Sequence, residues 1–396
     1  MSSLERNLKI YGYFKFCQNM LIIGPILVPF MLYKGLNYSE ILLLQSISAL
    51  SVFIFEVPTG VIADKVSRKF SLVLSSIFMV VGLLFYITQW DFIYFALAET
   101  LFGIGLTFSS GSDSAILYES LVSISRKDEY QRIETKVFFN IYIGQAIGSI
   151  SSSLLYTVSP NLPFYVSFLF MLTAGVISIA FIEPVKMEKN DNSYFRHMIE
   201  GFKISLKNPR IRWALYAAAI VGFSIRISYW LYEPYFKGVG IDIAWYGTIF
   251  FAYNVVCAVS SRMLIKKFEN KRQRKIIVFL GMILGFSFLL PLLFFGFFGI
   301  GLIALGQISR GLYRPVMNFY INNQVSDRYR ATIISIVSLS GNLFFAIFSP
   351  FIGVGLDELG AKAMYLIVGI GALSGTAILW KVRNLQKLRA KKMKAD

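Results

Sequence analysis

The feature that most constrains this chain is a succession of long apolar stretches, each about as long as a lipid bilayer is thick. Twelve stretches follow one another, near residues 10–33, 39–62, 70–89, 92–115, 136–157, 162–182, 211–235, 243–264, 276–296, 299–321, 331–354 and 361–380. A transmembrane helix needs about 20 mostly apolar residues. Since lipid cannot satisfy exposed backbone groups, the stretches predict helices. We therefore expect an all-α polytopic membrane protein with twelve transmembrane helices.

The composition agrees with this class of protein. Of the 396 residues, 56% are hydrophobic and 15% are charged, whereas soluble domains have about 45–50% and about 25%. Twelve spans leave little chain for connections, so the sequence predicts no folded domain outside the membrane.

The basic residues predict which way the spans run. With both termini in the cytoplasm, 32 Lys and Arg residues fall in inner segments, and only Lys34, Lys237 and Lys362 fall in outer connections. Because basic residues concentrate in cytoplasmic loops, both termini are expected in the cytoplasm. The net charge of +17 is explained by this asymmetry and by anionic lipids, so it does not indicate a nucleic-acid partner.

The longest connection divides the spans into two groups of six. The expected organisation is an N-terminal half over 1–184, a cytoplasmic linker over 185–209, and a C-terminal half with a basic tail over 210–396. Apolar residues recur in the linker at three- and four-residue spacing: Phe195, Met198, Ile199, Phe202 and Leu206. This spacing predicts an amphipathic helix on the inner membrane face, with Asn192 or Ser193 as N-cap. A solvated linker is the alternative.

A motif lies between the second and third spans. The sequence Gly60-Val-Ile-Ala-Asp64-Lys-Val-Ser67-Arg68-Lys69 has an acid four residues after a glycine, followed by a basic pair. With six plus six spans, it resembles the loop motif of the major facilitator superfamily. The resemblance implies two halves around a central cavity, and a cytoplasmic gate built by Gly60, Asp64, Arg68 and Lys69. Ser67 stands where the family usually has a second glycine, and an ordinary charged inner loop is the alternative reading.

Three further segments resemble a bacterial branch of drug and small-molecule exporters. They are Glu56-Val-Pro-Thr-Gly60, Ser110-Gly-Ser-Asp113 with Tyr118-Glu-Ser-Leu121, and Arg330-Ala-Thr332. The resemblance implies that Asp113 is the acid that Arg68 contacts. It also implies that Asp64 faces the start of span eleven near Ala331.

Two positions depart from the proton-coupled exporters of that family. Glu99 stands four residues before Gly103-Ile-Gly105, where those exporters carry an arginine. The segment Gly144-Gln-Ala-Ile-Gly148 lacks the proline that follows the glycine in the antiporter motif. Both departures weaken the case for antiport.

Charged residues inside spans are functional candidates, since a charge at the bilayer centre costs about 2.5–3.5 kcal/mol on insertion scales. Glu99 lies near the middle of span four and shares a helical face with Gly103 and Asp113, which suits a cavity-lining proton carrier. A static pair with an arginine is the alternative. Overlaying Gly103 on Gly311 places Gln307 opposite Glu99 and Arg310 opposite Phe102.

Other charged residues have different expected roles. Arg226, Arg310 and Arg314 could bind a carboxylate or phosphate. Lys15 is expected to extend to the inner boundary, and Glu233 to be solvated near the outer mouth.

The expected function is transport. The chain has no P-loop sequence, no metal-ligand spacing and no residues placed for nucleophilic catalysis, so neither an enzyme nor a cofactor is predicted. The leading hypothesis is a secondary transporter of the cell's inner membrane, working as a monomer by alternating access, that exports a lipophilic small molecule in exchange for protons. The alternatives are uptake or facilitated passage of an anionic solute, and a non-transporting sensor of the same fold.

Overall fold

The computed structural model describes residues 4–20, 22–184, 194–268, 272–325 and 327–392. All regular elements within these ranges are helical. The α-helices are α1 Glu5–Asn19, α2 Leu27–Tyr33, α3 Tyr38–Lys65, α4 Arg68–Thr88, α5 Phe92–Ser109, α6 Ser112–Ser123, α7 Tyr130–Val158, α8 Leu162–Ile179, α9 Tyr194–Lys207, α10 Pro209–Ala217, α11 Phe223–Val239, α12 Tyr246–Phe268, α13 Gln273–Leu293, α14 Phe297–Ile303, α15 Leu305–Asn322 and α16 Asp327–Lys392.

Nine helical segments among these residues are long and apolar enough to cross a membrane. They are Glu5–Tyr33, Tyr38–Lys65, Arg68–Thr88, Phe92–Ser123, Leu162–Ile179, Pro209–Val239, Ile243–Met263, Gln273–Leu293 and Thr332–Asn384. The last segment breaks at Gly360, whose φ of 79° and ψ of 173° are not helical. Glycine tolerates this conformation because it has no Cβ.

The chain forms two compact units. Unit 1 contains Met1–Phe195 and Asp242–Phe251, and unit 2 contains Arg196–Ile241 and Ala252–Asp396. The change from unit 1 to unit 2 after Phe195 falls inside the predicted linker.

The first apolar stretch is not one continuous helix. α1 ends at Asn19, a 3-10 turn covers Gly24–Ile26, and α2 follows. Pro25 has no backbone N–H to donate to the residue four positions earlier, so an α-helix cannot run through it undisturbed. The α7 helix packs here, since a Cβ on Gly144 would lie 2.6 Å from the Phe16 ring.

The fourth stretch is also interrupted. α5 ends at Ser109, and Gly111 adopts a left-handed conformation with φ 75° before α6 begins. The single helical face predicted to carry Glu99, Gly103 and Asp113 is therefore broken. Asp113 belongs to the next helix, which has its own direction.

The linker helix forms as the spacing predicts. In α9, the apolar side chains of Ile199, Phe202 and Leu206 are exposed. Gly201 packs closely against α16, since a Cβ at this position would lie 2.6 Å from Thr332 Cγ2. The glycine therefore faces the protein, whereas the three large apolar residues face outward. The expected N-cap residues, Asn192 and Ser193, lie outside the described residues.

Candidate functional site

A buried carboxylate lies among three helices of unit 1. Glu99 of α5 is only 6% exposed. Its Oε1 accepts a hydrogen bond of 2.6 Å from Gln45 Nε2 of α3 and another from the Tyr86 hydroxyl of α4. Both partners donate, which suits an ionised carboxylate because that form only accepts.

Unit 2 contains a related polar cluster around Gln307 of α15. Gln307 Nε2 donates to the Tyr232 hydroxyl over 2.6 Å, and Arg310 donates to Gln307 Oε1 over 3.2 Å. Arg310 also donates to Asn254 Oδ1 of α12 over 3.3 Å. Gln307, which the overlay placed opposite Glu99, thus lies in a hydrogen-bonded group with Tyr232 and Arg310.

The two clusters share a packing pattern that supports the overlay of Gly103 on Gly311. A Cβ on Gly103 would lie 2.9 Å from the Ser48 carbonyl oxygen of α3, and one on Gly311 would lie 2.4 Å from the Cys257 carbonyl oxygen of α12. The side chains three residues before these carbonyls, Gln45 and Asn254, are the ones that bond to Glu99 and Arg310. Within each unit, a glycine lets two helices approach closely, and a polar contact lies beside it.

Arg310 and Arg314 are one helical turn apart and both exposed. Arg310 bonds only to the neutral amides of Gln307 and Asn254. Within the described residues, no carboxylate lies within ion-pair distance of either guanidinium. These two cations therefore keep donors available for an anion.

Arg226 is half-buried between two helices of unit 2. It donates to Asn342 Oδ1 of α16 over 2.5 Å, and its guanidinium carbon lies 4.2 Å from the centre of the Phe345 ring. An amide oxygen and an aromatic face both stabilise a cation. Arg226 is therefore anchored to α16.

The predicted gating motif forms an ion-pair cluster in unit 1. Arg68, at the start of α4, pairs with Asp64 one turn earlier and with Glu119 of α6 at 3.5 Å. Gly60 lies within α3, and Lys69 lies in the first turn of α4. The expected approach of Asp64 to span eleven stays a prediction, because the side chain of Ala331 lies outside the described residues.

Three expectations about charged residues are wrong. The acid that pairs with Arg68 from another helix is Glu119, not Asp113. Asp113 instead pairs with Lys15 of α1, which is 8% exposed and therefore buried. The left-handed turn at Gly111 sets the direction of α6 separately from that of α5, so Asp113 lies beside α1. Glu233 is likewise 7% exposed rather than solvated.

Sequence reasoning missed Glu183, which follows the sixth span. Its carboxylate accepts hydrogen bonds from the Ser67 hydroxyl at 2.5 Å and from the backbone N–H groups of Arg68 and Lys69 at 2.7 and 2.9 Å. A carboxylate satisfies such helix N-terminal donors well. The available signal was an acid directly after the sixth span, at the point where the charged linker begins.

The serine in place of the motif's second glycine causes no strain. Ser67 is extended, with φ −171° and ψ 139°, and its hydroxyl accepts from Phe70 N as the N-cap of α4. A turn built this way needs no glycine, since any residue adopts extended backbone and serine is a favoured cap.

Among the described residues, no group of three His, Cys, Asp or Glu side chains could hold a metal ion. The arrangement offers the buried carboxylate of Glu99, two available guanidinium groups and a charged cluster at helix ends.

Comparisons with known proteins cover most of the chain. A family model described as Major Facilitator Superfamily matches residues 11–342. The "Uncharacterized MFS-type transporter YxaM" of Bacillus subtilis (strain 168) is 26% identical over 364 residues, 88% of each chain. A mutant of the nucleoside transporter NupG superposes with a TM-score of 0.81 at 14% identity, over 96% of this chain and 99% of that chain. A D-xylose-proton symporter does so with a TM-score of 0.72 at 14% identity, over 96% of each chain. At such identities the structural likeness establishes the fold alone.

Proposed function

Since the chain belongs to the Major Facilitator Superfamily, we propose that it is a proton-coupled secondary transporter that exports a lipophilic small molecule by alternating access. It is a transporter and not an enzyme. Export is supported by the segments around Glu56, Asp113 and Arg330, which resemble an exporter branch of this superfamily.

The transporter is proposed to have twelve spans in the cell's inner membrane. Gly360 divides α16 into two helices, residues 327–359 and 361–392. Each is long enough to cross the membrane by itself. The 29-residue α7 and the 18-residue α15 complete the set. Both carry several polar residues, as expected for helices that face a path for solutes rather than lipid.

The observation that carries the coupling proposal is the burial of Glu99. The Glu99 carboxylate is 6% exposed and bonds to Gln45 and Tyr86. A buried carboxylate is costly to keep charged in a membrane, so its protonation can change with its surroundings. The single histidine of the chain, His197, lies in the linker helix, so a carboxylate must carry the proton.

A lipophilic substrate is supported by the aromatic side chains around Tyr232, whose hydroxyl accepts a hydrogen bond from Gln307. The Tyr232 ring centre lies 5.3 Å from that of Tyr253 and 6.3 Å from those of Tyr229 and Phe236. Aromatic surface with a few placed polar groups is typical of sites that bind small organic molecules.

The test is flux in proteoliposomes with an imposed pH gradient, using a panel of dyes and anions. We expect Glu99→Gln to lose accumulation driven by the gradient and to keep exchange between equal concentrations, because exchange needs the binding site but not the proton. Asp91→Asn is the matched control: Asp91 is an exposed acid at the start of the same helix and makes no side-chain capping bond. Full gradient-driven activity of Glu99→Gln would contradict the assignment.

Passage of an anionic solute is the second candidate, and the exposed Arg310 favours it. If Arg310 binds the solute, Arg310→Gln should weaken transport of anions by roughly tenfold or more, the worth of a lost charge-assisted hydrogen bond. Neutral substrates should be unaffected. The control is Lys237→Gln, which removes an exposed charge near the end of α11. Equal loss for neutral and anionic compounds would instead assign Arg310 a structural role.

A further inference from the structure

A strongly basic cavity of about 410 Å³ lies in unit 2, separate from the Gln307 cluster. Five cationic residues line it: Arg210, Arg272, Arg274, Lys275 and Arg383. The other lining residues are Gln273, Tyr320 and Gln324, so none of the lining residues in the described part of the chain is acidic. The cations come from three helical segments, at the start of α10, at the start of α13 and near the end of α16. Like charges brought together in this way repel one another unless an anion lies between them.

Arg383 is the most deeply buried of these cations. It is 3% exposed and lies 3.6 Å from the centre of the Trp380 ring. Its Nη2 donates to Asn384 Oδ1 over 3.0 Å, whereas its buried Nε and Nη1 have no hydrogen-bond partner among the described residues. Buried guanidinium donors left unsatisfied are costly. Basic residues that serve only the positive-inside rule lie in water and would not carry this cost.

Aromatic residues hold a second guanidinium in place. Arg274 Nε donates to the Tyr320 hydroxyl over 2.7 Å, and the guanidinium lies 5.0 Å from the centre of the Trp213 ring. The Tyr320 hydroxyl donates in turn to the Arg210 carbonyl oxygen, and Trp213 Nε1 donates to the Leu379 carbonyl oxygen. Because Trp213 belongs to the buried core of unit 2, Arg274 is positioned before any ligand arrives.

The start of a helix lies at the cavity. Gln273, Arg274 and Lys275 line it and form the first turn of the 21-residue α13. The backbone N–H of Lys275 bonds to the Arg272 carbonyl oxygen, so the helix contributes the positive end of its dipole, which favours an anion.

From this arrangement we infer that the cavity binds a phosphate group, either of an anionic lipid or of a soluble phosphate. Guanidinium groups from several directions suit a tetrahedral phosphate, which accepts hydrogen bonds all around, better than a planar carboxylate. The lining segments are those predicted to lie on the cytoplasmic side, where lipid headgroups and soluble phosphates are both at hand.

The experiment compares the two sources with the purified full chain in nanodiscs. One arm uses phosphatidylcholine nanodiscs with and without phosphatidylglycerol, and native mass spectrometry counts the retained phosphatidylglycerol. The other arm titrates radiolabelled inorganic phosphate into phosphatidylcholine nanodiscs. One tightly held phosphatidylglycerol without phosphate binding identifies a lipid site, and saturable phosphate binding identifies a soluble ligand. Saturable binding of neither probe by the wild type would overturn the proposal.

Variants test whether binding occurs in this cavity. Arg383→Gln should weaken binding by at least about tenfold. Should that variant fold poorly, the double variant Arg272→Gln/Lys275→Gln changes only exposed rim residues and should weaken binding similarly. Arg212→Gln is the matched control, since Arg212 is exposed on the same helix as Arg210 and does not line the cavity. Equal weakening by the control would indicate general attraction to a basic surface and would overturn the site.

Discussion

At the scale of single residues, the charged side chains inside the helices differ in the partners that hold them. Glu99 and Arg310 bond to neutral amide or hydroxyl groups, whereas Arg68 and Lys15 form ion pairs at helix ends. An ion pair fixes two elements together, and breaking a buried one leaves an uncompensated charge. Arg310, whose partners among the described residues are neutral amides, keeps its net charge available to a solute. The first kind suits a gate, and the second suits a transport path.

The Arg68 cluster is expected to bias the conformational balance. Asp64→Asn leaves Arg68 with Glu119 alone. We expect this to shift the free-energy difference between the two conformations by about 1–3 kcal/mol and to leave folding unchanged. The measurement is the labelling of a cysteine at a predicted outer position, such as Lys237→Cys. The control is Glu129→Gln, which removes the exposed Arg126–Glu129 pair and should change nothing measurable. If Asp64→Asn leaves the labelling unaltered, the cluster is not a gate.

At the scale of helices, small residues decide where polar groups meet. Gly103 and Gly311 allow α5 to approach α3 and α15 to approach α12 closely, and these approaches bring Gln45 to Glu99 and Asn254 to Arg310. The breaks at Pro25 and Gly111 have a different effect, because each one separates the helix before it from the helix after it. The π-helical segment Ala218–Gly222 between α10 and α11 is a further irregularity of a type often found at functional sites.

Adding a methyl group at these contacts should destabilise the fold. Gly311→Ala would place a Cβ 2.4 Å from a backbone oxygen, and Gly103→Ala would place one 2.7 Å from Ser51 Cβ. We expect each to lower the free energy of unfolding by about 1–3 kcal/mol, as overpacking does, measured by thermal unfolding in detergent. Gly371→Ala adds a methyl group to open space and should be neutral or slightly stabilising. Equal effects at all three positions would show that helix propensity, not close packing, is at work.

At the scale of the whole molecule, the two units share a repeated arrangement. In each, the helix that carries the central polar residue packs through a glycine onto the helix that supplies its amide partner. Repeats of this kind place a transport site near the membrane midplane. Basic residues also stand at alternate ends of the predicted spans, which predicts the direction of each span in the membrane.

The direction of the spans can be tested with single cysteines. In a chain carrying Cys17→Ser and Cys257→Ser, Lys237→Cys should react with a membrane-impermeant maleimide on intact cells. Lys127→Cys should react only after permeabilisation, because it lies in a predicted inner loop. Both positions are exposed, so access across the membrane is the variable. The reverse labelling pattern would place both termini outside.

Much of the fold follows from local sequence patterns. The length of each apolar stretch predicts a helix, and the helix-period spacing in the linker predicts α9. The Gly60–Lys69 motif predicts a charged cluster at a helix end, and the overlay of Gly103 on Gly311 predicts Gln307 as the counterpart of Glu99. These properties depend on residues close together in the chain, or on a repeat visible in it.

The partners of the charged residues depended on the tertiary structure. Arg68 pairs with Glu119, Asp113 pairs with Lys15, and the start of α4 bonds to Glu183. These pairings depend on how far each helix is rotated about its axis and on where it ends. That rotation is set by close approaches at glycines and by breaks such as the one at Gly111, and helical periodicity contains no information about either. The basic cavity has the same origin. Each of its arginines obeys the positive-inside rule separately, and only the packing of three distant segments brings them around one space.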